Sequence, residues 1–504
     1  MRITGGLGTR CNEHAVSSCR RRSGSIRQGR RSREGCLSSD LALREKLSPA
    51  GQTAGDFCFC GLRRRSFLNF ILMKNSQKSV YRRTVLPNGV IVQTDYMPHA
   101  YSASVGAWLP RGSRHEKADE FGLSHFYEHL VFKGTENRSA LDIARSVEDR
   151  GGNLEAYTTR QETGFYANVV AEDVPLAVDV IADMLMNPRF EKSDMEKERK
   201  VIIEEIHSYD DIPEELAGDV FNASHFAGCG IAHSITGKAR DVRSLTLEQM
   251  WEYERQVLED FPVYVCAAGK VDHDQLVDLC AKKFKRKKKG KVFPCDGYRS
   301  RGGIKIVGKQ DITQSNLFWG TSFGYKNLDE KTRYAISFFN VAVGAGMASR
   351  LFQKIREENG LAYSVYSTVD VYRDCLDWGV SLATEPRQLK KALALAVAET
   401  RGFMESGFAK GELTRTKANV IGGLRLGADF PEKRMMRLAE QTLHLGQFYP
   451  MQETIAGLTK MGEEEAMEIV RNVFGKGGFT IAVVQPDDVK KPDLSVYLPF
   501  APGA

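Results

Sequence analysis

Two histidines four residues apart, with a glutamate immediately before the second, constrain this chain more than any other feature. The stretch is Gly122-Leu123-Ser124-His125-Phe126-Tyr127-Glu128-His129-Leu130-Val131-Phe132-Lys133-Gly134-Thr135. On a helix, positions i, i+3 and i+4 share one face, so His125, Glu128 and His129 project together. Neutral imidazoles at i and i+4 can grip one zinc ion, and a carboxylate left free of the metal can take a proton from water there. The order H-x-x-E-H reverses the commoner zinc-protease order H-E-x-x-H. With 10 His in 504 residues, chance alone gives on the order of 0.01–0.02 such matches.

A catalytic zinc site wants three protein ligands and one open position. Downstream runs Phe190-Glu191-Lys192-Ser193-Asp194-Met195-Glu196-Lys197-Glu198, continuing to Val201-Ile202-Ile203-Glu204-Glu205-Ile206. Ser193 or Asp194 is a suitable N-cap for a helix whose apolar stripe includes Met195, Ile202 and Ile206. Glu198 and Glu205 lie two turns apart on one face, as an outer carboxylate and a metal ligand would. Spacing alone does not choose Glu205 over Glu204, and a glutamate-rich helix is ordinarily a solvated face.

On these residues the chain resembles the pitrilysin, insulysin and mitochondrial processing peptidase family of zinc metalloendopeptidases, the inverzincins. Gly122–Thr135 is similar to that family's zinc helix almost residue by residue, and Val201–Ile206 is similar to the segment carrying its third ligand. The resemblance implies one zinc per chain held by His125, His129 and Glu205, with Glu128 as general base and Glu198 supporting the ligands. It extends from about Thr84 to about Gln485. It also covers Arg356 and Tyr363, which in the family contact the substrate around the scissile carbonyl. There two donors aimed at an oxygen gaining charge lower the barrier.

The same resemblance makes Gly152–Thr159 the strand that edges the cleft, so Leu154, Glu155 and Ala156 would pair with substrate backbone. The family often has asparagine at the position of Glu155, a departure that changes local charge without breaking pairing. The wording Gly360-Leu361-Ala362-Tyr363-Ser364-Val365-Tyr366-Ser367 is similar to the bacterial short-form peptidases. Mitochondrial enzymes instead divide the zinc set and the glycine-rich loop between subunits. A homodimer enclosing a chamber is therefore implied, each site completed by the partner's second domain, or a heterodimer with an inactive homologue. Peptides or targeting presequences are the implied substrates. The rival reading is a catalytically idle subunit like the respiratory-complex core proteins of the same fold.

Alternating strands and helices with hairpin signals, Asn88-Gly89 among them, argue an α+β fold. Strand-like runs at Ile304–Val307 and Gln314–Gly320, then a helix around Tyr334–Val343, repeat the opening plan without any H-x-x-E-H. Two similar domains follow, each a mainly antiparallel sheet with helices packed on it: a zinc domain at 80–292 and a domain without zinc at 302–495, joined by a linker at 293–301. Leu141–Arg150 reads as a helix stopped by Gly151-Gly152, and Ala171–Met186 as another.

Residues 1–72 carry 14 Lys+Arg against 5 Asp+Glu, whereas the remainder carries 57 against 59. The net charge of +7 thus sits in a basic extension, and the near-neutral body disfavours a nucleic-acid partner. Three readings fit this Arg- and Ser-rich segment: a disordered tail, a start placed upstream of Met73, or a transit-like peptide. No apolar run approaches the roughly 20 residues a membrane span needs. The ten cysteines are dispersed, which points to a reducing compartment, the bacterial cytoplasm, with the mitochondrial matrix as the alternative if the extension is a transit peptide. The run Lys282–Lys291 reads as a solvated linker.

Overall fold

The computed structural model describes residues 80–286, 297–475 and 478–498. The 1–72 extension, residues 293–296 of the expected linker and the second half of the Lys282–Lys291 run lie outside them. The Asn88-Gly89 signal builds a hairpin. Strands β1 (Val80–Val85) and β2 (Val90–Tyr96) pair antiparallel, with Val85 opposite Ile91. Gly89 takes φ 86° in the turn, a conformation that only glycine adopts cheaply.

Four further strands complete the first sheet: β3 (Ser102–Leu109), β4 (Asn153–Thr158), β5 (Thr163–Val170) and β6 (Val263–Gly269). Its order is β1-β2-β6-β3-β5-β4, with only β2 and β6 parallel. The second sheet holds β7 (Gly303–Lys309), β8 (Ser315–Gly324), β9 (Ala362–Val371), β10 (Cys375–Thr384) and β11 (Thr480–Pro486). Its order is β7-β11-β8-β10-β9, again with one parallel pair, β7 and β11. Leaving out β1, the two orders correspond strand for strand. The chain is two similar α+β domains, each closing at one side on an edge strand, β4 or β9.

In the first half, α1 (Leu123–Val131) and α2 (Ala140–Glu148) follow β3, and α3 (Val174–Met186), α4 (Lys192–Asp210) and α5 (Pro213–His225) follow β5. Alternate strand residues such as Val105 and Phe165 meet Phe126, Leu130, Ile181 and Ile202 of these helices in one core. Gly151, at φ 78°, ends the α2 segment. Two boundaries differ from the sequence expectation. A 3-10 turn (Ala171–Asp173) precedes α3, whose first turn holds Pro175, where a missing N–H costs nothing. Helix α4 begins at Lys192 with Glu191 as N-cap rather than Ser193 or Asp194, and Asp194 lies in the first turn, where its charge complements the helix dipole. In the second half, α6 (Glu330–Val343) follows β8, α7 (Leu389–Ser406) follows β10, and α8 (Pro431–Leu445) and α9 (Glu463–Phe474) come before β11. Trp319, Phe339, Trp378 and Phe474 centre that core.

Each half covers the outer face of the other's sheet. Helix α8 lays Met435, Leu438, Ala439 and Leu443 against Trp108, Tyr166 and Tyr264 of the first sheet. Arg434 grips Asp95 with two nitrogens at 2.7 and 2.8 Å, and His444 meets Glu162 at 2.8 Å. In return, α5 places Phe221 beside Ala482 and Phe318, and its His225 bridges Thr480 Oγ1 at 2.8 Å and Ser322 Oγ at 2.6 Å. Burial pushes His225 down to about 4, so it bridges the two hydroxyls as a neutral ring. Among the described residues, Cys229, Cys266, Cys280 and Cys375 are buried free thiols, and no helix is long and apolar enough to cross a membrane.

This exchange predicts that a cavity in α8 loosens the opposite half. Leu438→Ala is expected to cost about 2–5 kcal/mol in denaturant unfolding and to speed amide exchange in β3 and β6. Protection unchanged in those strands would contradict the reciprocal covering.

Candidate metal centre

Helix α1 forms because Leu123, Phe126, Tyr127, Leu130 and Val131 are buried at helical spacing. Its first turn is fixed from outside. Gly122, at φ 88°, supplies no capping side chain, and a Cβ there would stand 2.6 Å from Thr236 O. The buried Glu116 carboxylate instead receives the Gly122 N–H at 2.8 Å and the Ser124 N–H at 2.7 Å. Burial lifts Glu116 to about 7, against the pull of those backbone donors.

Helix α4 crosses α1 with Met195, Glu198, Ile202 and Ile206 turned inward. The packing brings His125, His129 and Glu205 together, one donor atom from each lying within 4.8 Å of the others. Glu205 Oε2 stands 3.7 Å from His125 Nε2 and 3.5 Å from His129 Nε2. Ligands about 2.0–2.1 Å from a tetrahedral ion sit about 3.3 Å apart. Two imidazoles and one carboxylate at this spacing therefore fit a catalytic zinc. Glu204, the neighbour that spacing could not exclude, points away and is 81% exposed.

The surroundings set the donors' states. His129 Nδ1–H donates to Glu198 Oε2 at 3.1 Å, which leaves Nε2 for the metal. Lys133 Nζ holds the other Glu198 oxygen at 2.8 Å. Burial pushes His125 down to about 4, the neutral form a metal needs. Burial also opposes charge on His129, but hydrogen bonds to Glu198 and Glu205 outweigh it and raise that ring to about 9. Burial lifts Glu128 to about 7, while a hydrogen bond from Thr158 pulls it down. That bond, Thr158 Oγ1 to Glu128 Oε2, is 2.6 Å. Glu128 thus sits beside the three candidate ligands without joining them.

Strand β4 carries the remaining first-half candidates. Leu154 and Ala156 pack on the inner core beside α1, whereas Tyr157 joins the cluster on the opposite face. Glu155 shares that opposite face and accepts from Tyr166 Oη at 2.5 Å. Its charge is thereby turned away from Thr158 and Glu128, so the departure from asparagine leaves the metal side of the strand unchanged. In the second half, Arg356 lies in a π-helical turn (Phe352–Glu357). Gly360, at φ 58°, ends it and donates to Arg356 O at 3.0 Å. The Arg356 guanidinium stacks 4.7 Å from the centre of the Tyr363 ring, and Tyr363 is 79% exposed. Among the described residues, neither shares a hydrogen bond, ion pair or ring contact with the metal cluster.

Sequence reasoning missed three contributors: Glu116, Lys133 and Thr158. Lys133 lies four residues after His129 and was open to the same helical spacing argument. Glu116 reaches the helix from a loop and left no local signal. Thr158 was visible only as part of a strand considered for its backbone.

Residues 91–238 match the insulinase family, peptidase family M16, and residues 244–420 match the peptidase M16 inactive domain. The chain is 35% identical over 415 residues to an uncharacterised zinc protease of Mycobacterium tuberculosis, covering 81% of this chain and 94% of that one. An uncharacterised zinc protease of Bacillus subtilis is 29% identical, covering 80% and 98%. Among solved structures, a protease from Helicobacter pylori superposes with TM-score 0.75 at 17% identity, covering 81% and 100%. A chain of complex III2 from Candida albicans does so with TM-score 0.69 at 17% identity, covering 81% and 97%. Both structural likenesses concern the fold.

Because Glu198 orients His129, Glu198→Ala is expected to weaken divalent-metal affinity about 10- to 100-fold, read by competition with a chromogenic chelator. Unchanged affinity would remove Glu198 from the site.

Proposed function

Since the chain belongs to the insulinase family of peptidases, M16, we propose that it is a zinc-dependent endopeptidase acting on peptides. One observation carries the proposal: His125, His129 and Glu205 converge while Glu128 stands beside them, free of the cluster and hydrogen-bonded. An idle subunit has no need of that arrangement. The likeness to the complex III2 chain is one of fold and weighs on neither side.

Zinc, when bound, supplies a Lewis acid that polarises the scissile carbonyl and acidifies a water. Glu128 accepts the proton of the attacking water and returns it to the leaving amine. The open edge of β4 offers backbone N–H and C=O groups to an extended substrate, which reads main chain rather than one side-chain sequence. Tyr363 and Arg356 donate to the carbonyl oxygen as it gains charge. The exposure of Tyr363 and the lack of contact between this pair and the metal cluster among the described residues favour supply from a second copy of the chain. That makes a homodimer the working unit, with a heterodimer with an inactive homologue as the alternative. The bacterial relatives and the free buried thiols favour a cytoplasmic site.

Cleavage of a quenched fluorescent peptide tests this reading. Wild type should turn over, and Glu128→Gln should be at least about 100-fold slower with its zinc retained. Zinc-loaded wild type inert toward a broad peptide set would favour the idle subunit. For the dimer, Tyr363→Phe mixed with Glu128→Gln should recover about a quarter of wild-type turnover if pairing is random, because one mixed site in each hybrid is intact. No recovery, in subunits shown to exchange, would place the arginine and tyrosine in the same chain's site.

A further inference from the structure

The group nearest Glu128 that the reaction does not yet use is the Thr158 hydroxyl. It donates to Glu128 Oε2 at 2.6 Å. Its second neighbour, Thr163 Oγ1, is 3.4 Å away and donates its own proton to Arg111 O at 3.2 Å. A hydroxyl has one proton to give, and the shorter, charge-assisted bond takes it. Glu128 Oε2 is therefore occupied by a donor, and among the described residues no hydrogen bond is made to Oε1. Thr158 is also the last residue of β4, the strand with the open edge.

We propose, resting on the peptidase reading, that Thr158 is a positioning residue that aims Glu128. With Oε2 held by a donor, the proton taken from water goes to Oε1, and the same oxygen is the one from which it leaves. Protonation of Glu128 does not break the bond, because Oε2 then serves as the carbonyl oxygen of the acid and still accepts. The proton count is closed: Thr158 keeps its own proton throughout, and one proton passes from water to Glu128 Oε1 to the leaving amine. Because Thr158 ends the strand that would receive the substrate backbone, the base is also held in register with the peptide bond presented on that strand.

The second half supplies an internal comparison. There Ser367 of β9, the corresponding edge strand, donates to Asn340 Oδ1 of α6 at 2.6 Å. Asn340 is fully buried and also accepts from Trp378 Nε1 at 3.2 Å. The fold thus ties its helix to its edge strand by a hydroxyl in both halves. In the second half the acceptor is sealed inside the core, and in the first it is the half-buried carboxylate next to the metal ligands.

The test compares Thr158→Val, which keeps the shape and loses the donor, with Thr158→Ser, which keeps the donor. Peptide turnover, zinc content and thermal unfolding are measured on the full chain. Thr158→Val should lower kcat about 10- to 100-fold, with KM and zinc content close to wild type, and Thr158→Ser should restore kcat to within about threefold. Should the valine variant fold poorly, Thr158→Ala removes the donor with less bulk and should show the same split. Wild-type kcat in the variants lacking the hydroxyl would overturn the proposal alone, as would equal losses in the serine and valine variants. Loss of zinc or a rise in KM in step with kcat would also overturn it, in favour of a purely structural bond. A zinc-loaded wild type that cleaves nothing would overturn it together with the peptidase reading.

Discussion

The crossing of α1 and α4 is the contact on which the rest of the site depends. His129 is held from two levels of α4: Glu198 takes Nδ1–H, and Glu205 faces Nε2. Those carboxylates are seven residues apart, about 10 Å along a helix axis, so only long side chains on the same face converge on one imidazole. Met195, Ile202 and Ile206 fix that face by burial. A slip of one residue in α4 would bring Glu204 to the place of Glu205 but Lys197 to the place of Glu198, and His129 would lose the carboxylate that holds its Nδ1–H.

Rigidity is supplied from both ends of α1. Glu116 caps its first turn, and beyond its last turn Lys133 completes the chain of charge that runs through Glu198 to His129. Below α1 lies a sheet whose outer face is sealed by α8 from the other half, just as α5 seals the second sheet. The two halves are therefore interlocked rather than strung together. Metal sites lose affinity when the elements bearing their ligands drift, and interlocking limits such drift.

Much of this was legible in the sequence because it follows helical spacing. His125, Glu128 and His129 are one face of one short helix, and the resemblance then selected Glu205 from a pair that spacing left equal. The strand orders of the two sheets repeat, as the recurring strand and helix pattern suggested. What stayed hidden depends on partners remote in sequence. Thr158 meets Glu128 across 30 residues, and α8 reaches Asp95 across 339. Helix starts were misjudged where the capping role fell to Glu191, a residue without a typical cap side chain, or where a 3-10 turn led into α3.

The proposed activity needs a single zinc held by His125, His129 and Glu205 beside a free carboxylate. X-ray absorption at the zinc edge of the purified protein tests it most directly. One zinc per chain is expected, with nitrogen and oxygen neighbours at about 2.0–2.2 Å, and Glu205→Ala should lose that signal. A sulfur shell near 2.3 Å, or a zinc signal unchanged by Glu205→Ala, would contradict the account.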